Sequence, residues 1–133
     1  MTGVADLRAG APAPVVLGAL PTRADLERRA PLGPLRDQVA RHRHAVRAVL
    51  DGRDDRLLVI VGPCSVHDPA AGLEYAARLA DAADACGDDL LVVLRAYLEK
   101  PRSVLGWRGL VPDPDLDGTG DLARGRVTAR RFL

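Results

Sequence analysis

Residues 57–68 read LLVIVGPCSVHD, and this stretch limits the fold more than any other part of the chain. Five consecutive aliphatic residues closed by Gly62 and Pro63 suit a parallel strand buried on both faces better than the edge of an open sheet. The pattern therefore predicts an interior strand over 57–61. The turn after it carries a thiol at Cys64, a hydroxyl at Ser65, an imidazole at His67 and a carboxylate at Asp68. Because α/β folds hold their chemistry at the carboxyl ends of strands, this turn is the first candidate site.

The surrounding chain reads as one βαβ unit. Asp68 followed by Pro69 is an N-cap with proline in the first helical position, and residues 70–86 make an Ala-rich helix with Leu73, Ala76, Ala80 and Ala83 inward. Gly87 stops it. A second aliphatic run at 90–94 leads into Arg95, at the spacing of a parallel, right-handed crossover. Upstream, Leu35, Val39, Val46, Val49 and Leu50 share one face of a helix over 35–50, which Asp51 and Gly52 end. Residues 1–34 hold prolines at 12, 14, 21, 31 and 34 and read as a partly disordered arm, with one short helix from its N-cap Thr22 to Arg29. The division is then an arm over 1–34 and, over 35–133, a helix plus the first βαβ unit. Residues 96–121 show no periodicity, and aperiodic stretches of that length are functional or disordered. Residues 122–133 turn helical again.

Composition excludes several classes of partner. The 133 residues are 47% hydrophobic and 28% charged, which suits one small globular domain. Net charge is +3 over residues 1–56 and −2 over 57–133, so neither part is a polyelectrolyte. Arginines alternate with acids and only four aromatics are present, which argues against nucleic acid as a partner. No apolar run approaches the roughly 20 residues of a membrane span, and the N-terminus lacks the basic-then-apolar order of a secretory signal. A cytoplasmic chain is expected, with reduced thiols at Cys64 and Cys86, the second as buried filler. His42 and His44 lie on different sides of a helix, cannot share a metal, and read as solvated imidazoles.

A second constellation follows the second strand: Arg95, then Glu99, Lys100, Pro101 and Arg102. Lys100 is the only lysine among 19 basic residues. A chain that otherwise meets its need for positive charge with guanidinium groups has kept an ammonium here, and only an ammonium can release a proton when its pKa is lowered. Arg95, Lys100 and Arg102 together suit a doubly anionic ligand, since guanidinium groups bind carboxylate and phosphate through paired hydrogen bonds. Cys64 at the neighbouring strand end could bind a divalent transition metal as thiolate. A phosphorylated, carboxylate-bearing substrate beside a metal is the reading these residues favour. A charge cluster of this kind also suits a solvated turn, and a thiol after Gly-Pro also suits an inert core position.

Taken together, DGRDDRLLVIV at 51–61, GPCSVHDP at 62–69, EYAARL at 74–79 and LRAYLEKPRSVLGWRGLVPDPDLDG at 94–118 resemble the N-terminal part of the class I 3-deoxy-D-arabino-heptulosonate 7-phosphate (DAHP) synthases of the microbial, aromatic-sensitive type. The resemblance covers about residues 20–133. The related 3-deoxy-octulosonate 8-phosphate synthases share the GPC turn, but HDP and the GWRGL loop argue against them. The resemblance implies an α/β fold, the N-terminal portion of a TIM (β/α)8 barrel. It implies condensation of phosphoenolpyruvate with erythrose 4-phosphate, the entry step of the shikimate pathway to aromatic amino acids, by an enzyme that is a homo-oligomer. By the same likeness Cys64 is a ligand of a divalent metal (Mn, Fe, Co or Zn), Arg95 binds phosphoenolpyruvate, Lys100 is the catalytic acid between the substrates, and Pro101, Arg102 and Ser103 line the erythrose phosphate side. Leu98 departs from the aromatic residue usual in the family, Ser103 and Val104 replace a hydroxyl-rich pair, and residues 126–128 interrupt the family's helix pattern.

The family's remaining metal ligands, a His, a Glu and an Asp, lie on later strands that this sequence does not include. Two parallel strands cannot close a barrel either. The expectation is a chain at best partly folded by itself, with open strand edges, and inactive alone as a fragment of a longer enzyme. The competing expectation is a noncatalytic truncated remnant, or an interaction module that packs against an intact synthase.

Overall fold

The computed structural model describes residues 18–102 and 105–133. In chain order the elements are α1 (Arg23–Arg29), α2 (Leu35–Leu50), β1 (Leu57–Val61), α3 (Pro69–Ala85), β2 (Leu90–Leu94) and α4 (Leu122–Phe132). The arm read from the sequence therefore includes α1; its first 17 residues lie outside the described residues.

Local chemistry accounts for these boundaries. Thr22 and Asp25 form a reciprocal capping box at the start of α1, which satisfies two helix-end donors at once. Gly52, at φ +67°, supplies the left-handed residue after α2. The Asp68 side chain accepts from Ala70 N at 2.8 Å and Ala71 N at 3.3 Å, and Pro69 begins α3. Asp121 caps α4 by accepting from Arg124 N at 3.0 Å.

The strands pair in parallel, from Leu57 opposite Leu90 to Val61 opposite Leu94. They form a two-stranded sheet, and α3 packs on β2 while α2 touches β1. This corrects the expectation of an interior strand: Leu57 is 66% and Ile60 62% exposed. With one partner strand and few covering elements, the aliphatic pattern finds no second layer to bury it among the described residues.

The core lies elsewhere, where the β1–α3 turn, the aperiodic stretch and α4 meet. Val66, Leu110, Val111, Val127 and Ala129 are its buried apolar residues. Two glycines allow this packing. A side chain at Gly125 would meet Val111 O at 2.0 Å, so the backbone of α4 rests directly on the loop, and one at Gly72 would meet the Phe132 ring at 2.7 Å.

That contact shifts part of the face predicted for α3, while Ala76 and Ala83 stay inward as expected. Pro69, Gly72, Ala76, Leu79 and Ala83 are the covered residues, whereas Leu73 and Ala80 are exposed. Cys86 is also exposed rather than filling a core, because it caps α3. Along α2 the covered residues include Val39, Val46 and Val49, but Leu35 and Leu50 at its ends are exposed. Both His42 and His44 are exposed, as expected of solvated imidazoles. In the described part of the arm, α1 packs against α4 as Arg130 Nε donates to Ala30 O at 2.7 Å. No described helix is long and apolar enough to cross a membrane.

Candidate active site

Parallel pairing brings the carboxyl ends of β1 and β2 to one rim, and the chain tightens there. Arg95 N donates to Val61 O at 2.6 Å, extending the ladder one residue past β2. A side chain at Gly62 would lie 2.1 Å from Arg95 O, so only glycine permits this approach. The Arg95 guanidinium reaches back over the turn, where Nη2 donates to Gly62 O at 3.0 Å and to Pro63 O at 3.2 Å.

The aperiodic stretch is built by backbone hydrogen bonds. Val66 N donates to Tyr97 O at 3.0 Å, Lys100 N to Arg108 O at 2.6 Å and Val111 N to Leu98 O at 3.1 Å. Residues 97–100 are thereby held between the β1–α3 turn on one side and residues 108–111 on the other. At Gly109, φ is +116° and a side chain would strike Leu98 O at 2.5 Å, so this return also requires glycine. Trp107 Nε1 donates to Asp113 O at 2.8 Å, and its ring meets His67 edge-on with centroids 6.5 Å apart.

This scaffold sets Lys100 against Cys64: Nζ donates to Sγ at 2.8 Å. The hydrogen bond and the charge of Lys100 hold the thiol below its ordinary range, Arg95 and Arg102 add smaller attractions, and partial desolvation opposes them. Cys64 is exposed, so the sulfur is open to solvent. Arg102 is turned by its Nε to Trp107 O at 3.3 Å, and Pro101 is exposed beside it. Of the residues singled out from sequence, Cys64, Arg95, Lys100, Pro101 and Arg102 thus lie on one rim, and Ser103 lies outside the described residues.

Tyr97 was not among them, yet both cations face its ring. Arg95 Cζ lies 5.2 Å and Lys100 Nζ 5.4 Å from the ring centroid. An aromatic residue between two cations was the only available signal, and it has no periodicity to set it apart. A hollow of about 460 Å3 opens at the other end of the strands, lined by Asp54, Asp55, Arg56, Gly87, Asp88 and Asp89. Its arginine is already held by Asp54 and by Gly87 O. The concentration of cations around a low-pKa thiol favours the opposite rim as the site of chemistry.

A thiolate is a good ligand for a transition metal, and the lowered pKa of Cys64 favours that form. A catalytic metal is ordinarily held by about three protein ligands. Among the described residues no group of three or more His, Cys, Asp or Glu side chains is placed to hold one. Cys64 therefore fits a metal as a single donor, and the described residues do not complete a centre.

Comparison with known proteins agrees with this fold. The model of the DAHP synthetase I family matches residues 33–126. The Trp-sensitive phospho-2-dehydro-3-deoxyheptonate aldolase of Enterobacter agglomerans is 48% identical over 118 residues, covering 88% of this chain and 34% of the relative. The phospho-2-dehydro-3-deoxyheptonate aldolase of Amycolatopsis methanolica is 55% identical over 95 residues, covering 71% of this chain and 47% of the relative. The solved structure of the aldolase of that name from Francisella tularensis SCHU S4 superposes with a TM-score of 0.81 at 38% identity, over 86% of this chain and 34% of that one. The chain thus spans between a third and a half of the length of these relatives. With the family model matched across the helix, both strands and the cationic rim, the chain belongs to the DAHP synthetase I family.

Proposed function

We propose that this chain forms the N-terminal portion of a (β/α)8 barrel, an arm over 1–34 followed by the first βαβ unit. Its rim would be part of the active site that condenses phosphoenolpyruvate, erythrose 4-phosphate and water into DAHP and phosphate. The observation that carries the reading is the 2.8 Å contact between Lys100 Nζ and Cys64 Sγ, with Arg95 on the same rim. Family membership supports the reaction.

In this reading Arg95 binds the phosphoenolpyruvate anion through its planar donors. Lys100 lies between the substrates and gives a proton to the aldehyde oxygen of erythrose 4-phosphate as the methylene carbon C3 of phosphoenolpyruvate attacks the carbonyl carbon. Water then adds to C2, the phosphate-bearing carbon, losing a proton to solvent, and phosphate leaves as the C2–O bond breaks to give the ketone. Pro101, Arg102 and Ser103 line the erythrose phosphate side. A divalent metal (Mn, Fe, Co or Zn), with the Cys64 thiolate as one ligand, would supply Lewis-acid polarisation of the aldehyde when bound. The other ligands would come from polypeptide beyond these residues, a view supported by the 34% coverage of the Enterobacter relative.

The test is phosphoenolpyruvate consumption with erythrose 4-phosphate and added Mn²⁺. The isolated chain is expected to give no turnover, and grafting residues 18–133 in place of the matching segment of the Enterobacter relative is expected to give turnover. Clear activity of the isolated chain would overturn the claim that the site needs residues from elsewhere. A folded but inactive graft would overturn the assignment of the rim.

A further inference from the structure

Arg95 and Lys100 carry like charges, yet both lie against the ring of Tyr97. Like charges on one turn repel, a repulsion that the Cys64 thiolate and an aromatic ring can each offset. The negative face of an aromatic ring attracts a cation within about 6 Å of its centroid, and both groups are inside that distance, at 5.2 Å and 5.4 Å. Tyr97 is itself firmly placed. Its backbone carbonyl accepts from Val66 N at 3.0 Å, two residues past Cys64, while the next residue, Leu98, accepts from Val111 N at 3.1 Å. The ring is half exposed, so it contributes little to the core and presents its surface to the rim.

We infer that Tyr97 is a positioning residue: its ring holds the Arg95 guanidinium and the Lys100 ammonium on either side of the place where a phosphorylated carboxylate would sit. The inference rests on the reading of the rim as a phosphoenolpyruvate site and adds the group that presets its cations. The ring contact needs the π face and not the hydroxyl, so phenylalanine serves in its place and leucine does not. Losing the contact leaves the Lys100 ammonium held by Cys64 Sγ and the Arg95 guanidinium by Gly62 O and Pro63 O, and the anion must then order them further on binding, which weakens binding by about fivefold.

Because Lys100 is the only lysine, selective ¹³C and ¹⁵N lysine labelling of the full chain gives one side-chain signal to follow by NMR. Its ε-methylene protons are expected upfield of their free-lysine position in the natural chain and in Tyr97→Phe, and at the free position in Tyr97→Leu. The Trp107 indole N–H, hydrogen-bonded to Asp113 O, checks the fold of the surrounding loop. Should Tyr97→Leu lose that signal, pentafluorophenylalanine at position 97 keeps the shape while reversing the ring's charge pattern, and it is expected to release Lys100. An unshifted lysine signal in the natural chain, or the same shift in all variants, overturns the inference. Added phosphoenolpyruvate is expected to move the signal, with Tyr97→Leu needing about fivefold more ligand than Tyr97→Phe; equal requirements overturn the positioning role. No response in any variant counts against the phosphoenolpyruvate reading, and the ligand-free comparison still decides whether the ring holds the lysine.

Discussion

The Lys100 ammonium donates to the Cys64 sulfur at 2.8 Å although 36 residues separate them in the chain. Parallel pairing of β1 and β2 makes this possible, because it ends both strands at the same rim. The return of residues 108–111 against 98–100 then fixes where the lysine points.

The lowered pKa of Cys64 can be read from its reactivity. A thiol below its ordinary range is thiolate at lower pH, so alkylation by iodoacetamide stays fast until the pH falls through the lowered value. Lys100→Met removes the largest cause and is expected to shift the midpoint of the rate profile upward. Lys100→Arg keeps the charge and is expected to shift it less. Mass spectrometry of the Cys64 peptide across pH measures this; an unchanged midpoint in Lys100→Met would show that the contact has no electrostatic effect.

Gly62→Ala is expected to destabilise the chain by about 3 kcal/mol, because the added methyl would overlap the Arg95 backbone and force the strand ends apart. Gly87→Ala, whose nearest atoms would be at 3.5 Å, is expected to cost roughly 0.5 kcal/mol or less. Urea denaturation of both variants compares them directly, and equal costs would contradict the tight closure at the rim.

Placing the core at the loop and α4 has a similar consequence. Leu110, 1% exposed, should cost about 3 kcal/mol on truncation to alanine. Leu57→Ala on β1 should cost roughly 0.5 kcal/mol or less, since that side chain is 66% exposed. The reverse order of denaturation midpoints would relocate the core to the sheet.

Acid sensitivity should be traceable to Asp54. Its hydrogen bonds from Arg56 hold the carboxyl below the ordinary carboxylate range. A depressed folded value means that the stabilisation is fully present above the ordinary range and is lost as pH falls through the lowered one. Asp54→Asn should therefore flatten the loss of stability over that acid interval, measured as urea midpoints from neutral pH downward. A curve of unchanged shape would exclude Asp54 as a contributor.

Much of the architecture was legible because its signals are local. Aliphatic runs closed by Gly62 and Arg95 mark β1 and β2, and Thr22, Asp68 and Gly52 mark helix ends through side chains that satisfy or terminate backbone groups. The face of α3 was legible only in part: Ala76 and Ala83 are inward as the pattern implied, but Gly72 turns inward because Phe132, 60 residues later in the numbering, packs on it, and no window around Gly72 contains that information. The path of the described residues within 96–121 was hidden for a related reason, since it is held by backbone bonds from Val66, Lys100 and Val111 that leave no periodicity. At the rim, the strand ends sufficed to bring Cys64 and Lys100 together, whereas Tyr97 gains its place only from where two cations end up.

The central claim is that Cys64 and Lys100 act on one reaction. Its most direct measurement is the rate of DAHP formation by the Enterobacter relative carrying residues 18–133 of this chain, natural or with Lys100→Met. The predicted result is turnover in the natural graft and a loss of at least about 100-fold in kcat for Lys100→Met, as removal of a general acid requires. A Lys100→Met graft that turns over as fast as the natural one would contradict the claim.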